Sequence, residues 1–135
     1  MTDWQPLIEA ALDARTRAYA PYSKFQVGAA LLGHDGTIFQ GANVENRTFG
    51  LTVCAERSAL VAAVSAGVTR FDALVVVTDT APPAAPCGQC RDSLAEFAVD
   101  LPILLVGTDG EQSVRDLAEL LPDPFRLDGK LPGEL

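Results

Sequence analysis

The chain has 135 residues, of which 48% are apolar and 21% charged, and its formal net charge is −8. This length predicts a single domain over residues 1–135, able to bury about two thirds of the surface of the unfolded chain. The acidic balance argues against a non-specific nucleic-acid binder, which needs a basic face, and less strongly against phosphorylated substrates. We therefore expect a neutral or weakly charged small molecule as the ligand.

The N-terminal sequence and the cysteine count bear on the compartment. The sequence begins with acidic and polar residues, and no apolar run approaches the roughly 18 residues of a membrane span. We therefore expect neither a signal peptide nor a membrane partner. The three cysteines, Cys54, Cys87 and Cys90, are an odd number, which favours reduced thiols and a cytoplasmic protein.

The first half of the chain predicts two helices around a pair of strands. Apolar residues at helical spacing predict an amphipathic helix over residues 4–19, ended by Pro21. Two strands follow within residues 24–44, joined by a turn at 33–36. The apolar stretch 54–66 predicts the second helix.

The second half alternates buried strands with helices. The β-branched run 73–79 and the apolar run 102–107 predict two interior strands, with a helix over 88–98 between them. Residues 113–121 are predicted as a short helix with Ser113 as its N-cap. The last ten residues or so are expected to form an irregular tail. This order of elements implies an α/β sandwich with a mixed sheet.

The cysteines share a position relative to the predicted helices. Cys54 and Cys87 each stand at a helix start, and Cys90 lies one turn into the second helix. Two helix N-termini could therefore bring the thiols together, and their dipoles would favour thiolates. The alternatives are three buried small side chains, or a redox pair formed by Cys87 and Cys90. The redox interpretation leaves Cys54 and Glu56 without a role.

Three thiolates are a ligand set that suits zinc. A structural zinc site is closed by a fourth protein ligand, whereas a catalytic site leaves one position open. The single histidine, His34, falls in the predicted turn, where a solvated residue is expected. With Cys54, Cys87 and Cys90 as the ligands, the pattern is therefore the catalytic one.

Two charged residues interrupt the apolar helix immediately after Cys54. Glu56 could face a water at the metal and serve as general acid and base. Arg57 could donate to the thiolate sulfurs and offset the negative charge of a three-cysteine site. The alternative for Arg57 is a surface residue paired with an acidic neighbour.

The two cysteine motifs together resemble a known signature. The residues "CAE" at 54–56 and "PCGQC" at 86–90 fit the three-cysteine form of the zinc nucleobase deaminases. The order and spacing of five stretches resemble the small homotetrameric cytidine deaminases: "YSKFQVGAAL" (22–31), "GANVEN" (41–46), "GLTVCAERSAL" (50–60), "PCGQCR" (86–91) and "ELLPDPF" (119–125). This resemblance implies a three-layer α/β/α sandwich around a mixed sheet of about five strands.

The resemblance also implies the roles of individual residues. Zinc, one per subunit, would be held by the three cysteines, and Glu56 would move the protons. The aromatic ring of Phe25 would pack on the pyrimidine, and Asn43 and Glu45 would hold the ribose 3′-hydroxyl. Ala55 would offer backbone groups to the base, and Phe125 would reach the site of a neighbouring subunit. The chain departs from the usual family residues at Gln26, Arg47, Phe49 and Asp92.

The expected reaction is hydrolytic deamination of cytidine and 2′-deoxycytidine to the uridine nucleosides and ammonia, a step of pyrimidine salvage. One rival is the same chemistry on a related aminopyrimidine nucleoside, such as an antibiotic of the blasticidin type. A polynucleotide deaminase is disfavoured by the acidic charge. A non-catalytic domain stabilised by zinc would need a fourth ligand and would not need Glu56.

Overall fold

The computed structural model describes residues 2–130. Within that range the elements are α1 (Gln5–Arg15), β1 (Gly28–Gly33), β2 (Ile38–Ala42), α2 (Ala55–Ser65), β3 (Phe71–Thr78), α3 (Gly88–Ala95), β4 (Pro102–Gly107), β5 (Gln112–Asp116) and α4 (Leu117–Leu120). No helix in these residues has the length and apolar character needed to cross a bilayer. The part of the expected irregular tail beyond Lys130 lies outside the described residues.

The strands form one mixed sheet in the order β2-β1-β3-β4-β5. β3 and β4 are parallel, and the other neighbouring pairs are antiparallel. The two parallel strands carry continuous apolar runs, and almost all of their residues are buried, as expected for strands covered on both faces. The predicted turn between β1 and β2 is confirmed: Gly36 has a φ of 90°, a value that glycine adopts without strain.

Helices cover both faces of the sheet, which confirms the three-layer α/β/α sandwich. On one face, α1 packs Leu7 and Ala11 against alternate residues of the central strands, including Val75 and Val77. On the other face, side chains of α2, α3 and α4 pack on residues such as Leu74 and Val76. This second face carries both predicted cysteine segments.

The predicted helix over 113–121 is wrong in its first half. Residues Gln112–Asp116 form β5, which pairs antiparallel with β4. The buried strand β4 has backbone groups that need partners on that side, and β5 supplies them. The N-cap of the helix is Asp116 and not Ser113, because Asp116 and Glu119 form a capping box at the start of α4.

The first helix is shorter than the periodicity predicts, since α1 ends at Arg15 and not near residue 19. Tyr19 forms a bridge to Val44, and its N–H donates to the carbonyl of Asn43 at 2.9 Å. The chain must be extended there to make this contact. The residues around Tyr19 therefore belong to the surroundings of the site and not to the helix.

Candidate metal centre and active site

The helices α2 and α3 begin directly after Cys54 and Cys87, as predicted. Both cysteines have the extended backbone of an N-cap residue, with ψ values of 156° and 169°. Cys90 is buried in the first turn of α3. The two helix starts therefore present three thiols at the face of the sheet that α2 and α3 cover.

The three sulfurs are close enough to share one metal ion. Cys54 Sγ lies 3.8 Å from Cys87 Sγ, which lies 3.5 Å from Cys90 Sγ, and all three atoms lie within 4.8 Å of one another. Tetrahedral zinc with bonds of about 2.3 Å holds its sulfurs roughly 3.8 Å apart. The donor set and its spacing thus fit zinc. His34 lies elsewhere, with Nδ1 3.0 Å from Asp72 Oδ1.

The thiols perturb one another because they are so close. The nearby Cys90 thiol lowers the pKa of the Cys54 thiol, and the same proximity raises the pKa of Cys90. A cation at this point would favour the deprotonated form of every thiol that it binds.

The guanidinium of Arg57 lies beside the thiols. Its Nη2 donates to the Thr52 carbonyl at 3.1 Å and lies 4.0 Å from Cys54 Sγ. Burial, the largest single influence, disfavours its charged form, but the contacts and charges of Cys54 and Cys90 together outweigh burial and raise the pKa of Arg57. Its Nε is buried and lacks a hydrogen-bond partner among residues 2–130. A spare buried donor next to sulfur ligands fits a centre that carries negative charge.

The carboxyl group of Glu56 is buried within the first turn of α2. The residue is 5% exposed, and it is one of few buried polar residues in the described chain. Burial raises the pKa of Glu56 to about 7. A carboxyl with this pKa can both accept and release a proton near neutral pH, as a general acid and base must.

A cavity of about 320 Å³ opens beside the thiols. Four residues predicted to bind substrate line it together with Cys54, Glu56 and Cys87: Phe25, Asn43, Glu45 and Ala55. Phe125 does not line the cavity of its own chain and is 73% exposed. The structure therefore brings all of the predicted site residues together except Phe125.

Asn43 and Glu45 are both held in place by hydrogen bonds. Asn43 Oδ1 accepts from Val27 N at 2.9 Å, and its Nδ2 donates to the Phe25 carbonyl at 2.7 Å. Glu45 Oε1 accepts from the backbone of Tyr22 and Ser23, and Oε2 accepts from the Ser23 hydroxyl. These contacts fix the segment that carries Phe25 against the end of β2.

Sequence reasoning missed two residues that shape the site. Thr78 ends β3, is buried, and accepts a hydrogen bond from Ala84 N at 3.0 Å in the cavity wall. Arg91 donates from Nε to the Pro86 carbonyl at 2.7 Å, immediately before Cys87. The sequence does contain a pattern that points to Thr78, since it is the single hydroxyl residue at the end of an aliphatic strand.

Comparison with known proteins agrees with this geometry. Residues 1–105 match the sequence profile described as "Cytidine and deoxycytidylate deaminase zinc-binding region". A cytidine deaminase of Sporosarcina psychrophila is 49% identical over 124 residues, which cover 91% of each chain. A cytidine deaminase of Mycobacterium tuberculosis is 42% identical over 98% of this chain and 96% of its own length.

The solved structures include a similar fold. The crystal structure of cytidine deaminase from Burkholderia pseudomallei matches with a TM-score of 0.88 and 48% sequence identity. The match covers 93% of this chain and 100% of that one.

Proposed function

Because the chain belongs to the family of zinc-binding cytidine and deoxycytidylate deaminases, we propose that it converts cytidine and 2′-deoxycytidine to uridine and 2′-deoxyuridine. One observation carries this proposal: the buried carboxyl of Glu56 shares a cavity with Cys54, Cys87 and Phe25. The reaction is a hydrolysis that releases ammonia. In the cell it would serve pyrimidine salvage in the cytoplasm, where the thiols stay reduced.

Cys54, Cys87 and Cys90 would hold one zinc ion. When bound, zinc acts as a Lewis acid and lowers the pKa of water to about 7. Arg57 would offset the charge of the three thiolates through its contact with Cys54. The mutual spacing of the sulfurs and the spare donor of Arg57 support this assignment.

The nucleoside would be oriented by the residues along the cavity. Phe25 would pack on the pyrimidine, and Ala55 would offer backbone groups to the base. A carboxylate has about four acceptor positions and an amide nitrogen has two protons, so Glu45 and Asn43 keep capacity beyond their present contacts. That remaining capacity would hold the ribose 3′-hydroxyl and leave the 2′ position free, which admits both sugars.

Glu56 would move both protons of the attacking water. It accepts the first and delivers it to N3 of the base while the water oxygen bonds to C4. It then passes the second proton to the amine as the bond between C4 and nitrogen breaks. The pKa of about 7, raised by burial, suits a group that must gain and lose a proton in each turnover.

A nucleoside is favoured over a nucleotide by the charges in the cavity. Its wall contains the carboxyl groups of Glu45 and Glu56, and no Lys or Arg of the described residues lines it. A phosphate group would meet negative charge there without a cation to offset it. We therefore assign cytidine and deoxycytidine as substrates in preference to deoxycytidylate.

We also propose that a single domain over residues 1–135 assembles into a homotetramer. Exposed apolar side chains stand next in the chain to residues of the cavity wall, and Phe49 is 74% exposed beside Tyr22, with ring centroids 5.8 Å apart. A second copy of the chain would cover this surface, formed by Tyr19, Tyr22, Val44, Phe49 and Leu51. Phe125 would then reach a neighbouring site.

The deamination test follows the ultraviolet absorbance of cytidine with zinc-loaded enzyme. We expect conversion of cytidine and deoxycytidine, with far slower conversion of deoxycytidylate. Glu56→Gln should lower kcat by roughly 10²–10⁴-fold at unchanged zinc content. Glu96→Gln, which changes an exposed carboxylate directly after α3, is the matched control. Wild-type rates in Glu56→Gln would refute the proton transfer, and inert nucleosides would refute the function.

The same assay tests the rival substrate. Conversion of a blasticidin-type nucleoside, with cytidine unchanged, would replace the proposed substrate while leaving the chemistry intact. Light scattering tests the assembly: Phe49→Asp should dissociate the tetramer, whereas Val114→Asp, at an exposed apolar residue of β5, should not. A fully active wild-type monomer would refute the role given to Phe125.

A further inference from the structure

The first turn of α2 lies directly on the sheet at Gly41, with no room for a side chain. A Cβ atom built on Gly41 would lie 2.2 Å from the carbonyl oxygen of Ala55 and 2.4 Å from the backbone nitrogen of Ala59. These two atoms are the acceptor and donor of the helical hydrogen bond that joins residues four apart. The glycine therefore faces the backbone of the turn that begins at Cys54.

We propose that Gly41 is a positioning residue for catalysis, because its missing side chain sets the depth at which the first turn of α2 rests on the sheet. Ala55 stands between the predicted ligand Cys54 and the predicted proton carrier Glu56. Any shift of the Ala55 peptide is thus transmitted to both. This inference rests on the proposed function only for the role of Glu56; the effect on Cys54 needs the metal site alone.

The displacement that a side chain would cause is large enough to matter. Ordinary contacts of a Cβ atom begin at about 3.4 Å, so the Ala55 oxygen would have to retreat by roughly 1 Å. Rotation of a side chain cannot relieve this clash, because the two nearest atoms belong to the backbone of the helix. Misplacement of a catalytic group by 1 Å can cost about 10²-fold in rate.

On the other face of the sheet, a helix without predicted site residues packs on a glycine in the same way. A Cβ atom on Gly28 would lie 2.0 Å from the Ala11 carbonyl oxygen and 2.7 Å from Arg15 N. There α1 lies on β1 in the same way as α2 lies on β2 at Gly41. Gly28→Ala therefore imposes a similar steric conflict on a helix that carries none of the predicted ligands.

The experiment compares Gly41→Ala with Gly28→Ala in the full-length chain. We expect Gly41→Ala to lower kcat for cytidine by about 10²-fold, with a much smaller change in KM. Its zinc affinity, measured against a chromogenic chelator, should fall by about tenfold. The absorption bands of the cobalt-substituted protein should change, because they report the arrangement of the thiolates. Gly28→Ala should lower the melting temperature at least as much, yet keep the wild-type kcat and cobalt spectrum.

Two results would overturn the proposal. One is a Gly41→Ala protein with wild-type kcat, zinc affinity and cobalt spectrum. The other is equal loss of kcat in both variants, which would mean that general destabilisation explains the effect. If the wild type does not deaminate cytidine, the proposed function fails, and the zinc and cobalt measurements still decide the effect on Cys54.

A second variant decides the matter if Gly41→Ala does not fold. Ala59 is fully buried at the same crossing, and Ala59→Ser adds one atom there. We expect a weaker loss of kcat and zinc affinity in the same direction. Wild-type values of both in a folded Ala59→Ser protein would count against the proposal.

Discussion

Arg91 joins the metal-binding loop to the C-terminal part of the fold, and its replacement should weaken both. Its Nε donates to the Pro86 carbonyl at 2.7 Å, and its Nη1 donates to the Leu120 carbonyl at 2.9 Å. The Pro86 carbonyl belongs to the peptide bond that leads into Cys87, and Leu120 is the last residue of α4. Arg91→Met removes both hydrogen bonds and leaves most of the side-chain volume in place.

The expected loss follows from the kind of bond removed. A hydrogen bond from a charged donor contributes about 1.5–3 kcal/mol, and the lower value applies because Arg91 is only partly buried. Two such bonds give about 3 kcal/mol. For a domain of this size, that corresponds to a drop of roughly 10 °C in melting temperature. Arg91→Lys, which keeps the charge and can reach one carbonyl, should lose about half as much.

Calorimetry of the zinc-loaded protein measures this loss, and a chromogenic chelator measures the rate of zinc release. We expect Arg91→Met to release zinc about tenfold faster, because the peptide before Cys87 is no longer fixed. The control is Arg17→Met, which removes an exposed ion pair with Asp13 worth at most about 1 kcal/mol. A melting temperature for Arg91→Met equal to that of Arg17→Met would refute the reasoning.

Three further predictions concern the site and its surroundings. Removal of zinc by a chelator should abolish deamination, and zinc, but not magnesium, should restore it, because thiolates favour zinc over hard cations. Thr78→Val should reduce the free energy of unfolding by about 1–3 kcal/mol and lower kcat/KM, because it leaves Ala84 N without its acceptor. Thr80→Val, the control, should have little effect in the same unfolding and rate assays. The Ser23 hydroxyl lowers the pKa of Glu45. The stability that this hydrogen bond contributes is therefore complete above the pKa that Glu45 has in the unfolded chain. It is lost as the pH falls through the lowered pKa of Glu45 in the folded protein. The melting temperature should therefore fall less steeply below about pH 5 in Ser23→Ala than in the wild type, and an unchanged slope would contradict this coupling.

The sequence predicts this site well because its chemistry depends on residues close together in the chain. The spacing from Cys54 to Glu56, and from Cys87 to Cys90, is set by helix geometry, so local patterns suffice to place these groups. Arg91 is different, since its contact with Leu120 spans 29 residues. Such contacts depend on how the helices pack, and no local pattern carries that information.

The same distinction explains the errors in the fold. The helix predicted over 113–121 fails because β5 forms to satisfy the open side of β4, a requirement of the sheet and not of the segment itself. The predicted extension of α1 beyond Arg15 fails for a similar reason, since the backbone of Tyr19 pairs with that of Asn43 and Glu45. In both places a tertiary contact overrides the local preference.

The placement of the thiols at two separate helix starts also has a consequence for folding. Cys54 and Cys87 are 33 residues apart in the chain, with all of β3 between them. An ion bound to both acts as a cross-link, and closing a loop of this length restricts the unfolded chain by roughly 4 kcal/mol in the loop-entropy treatment used for disulfides. Metal supply would then govern how long the protein survives proteolysis, independently of its rate of catalysis.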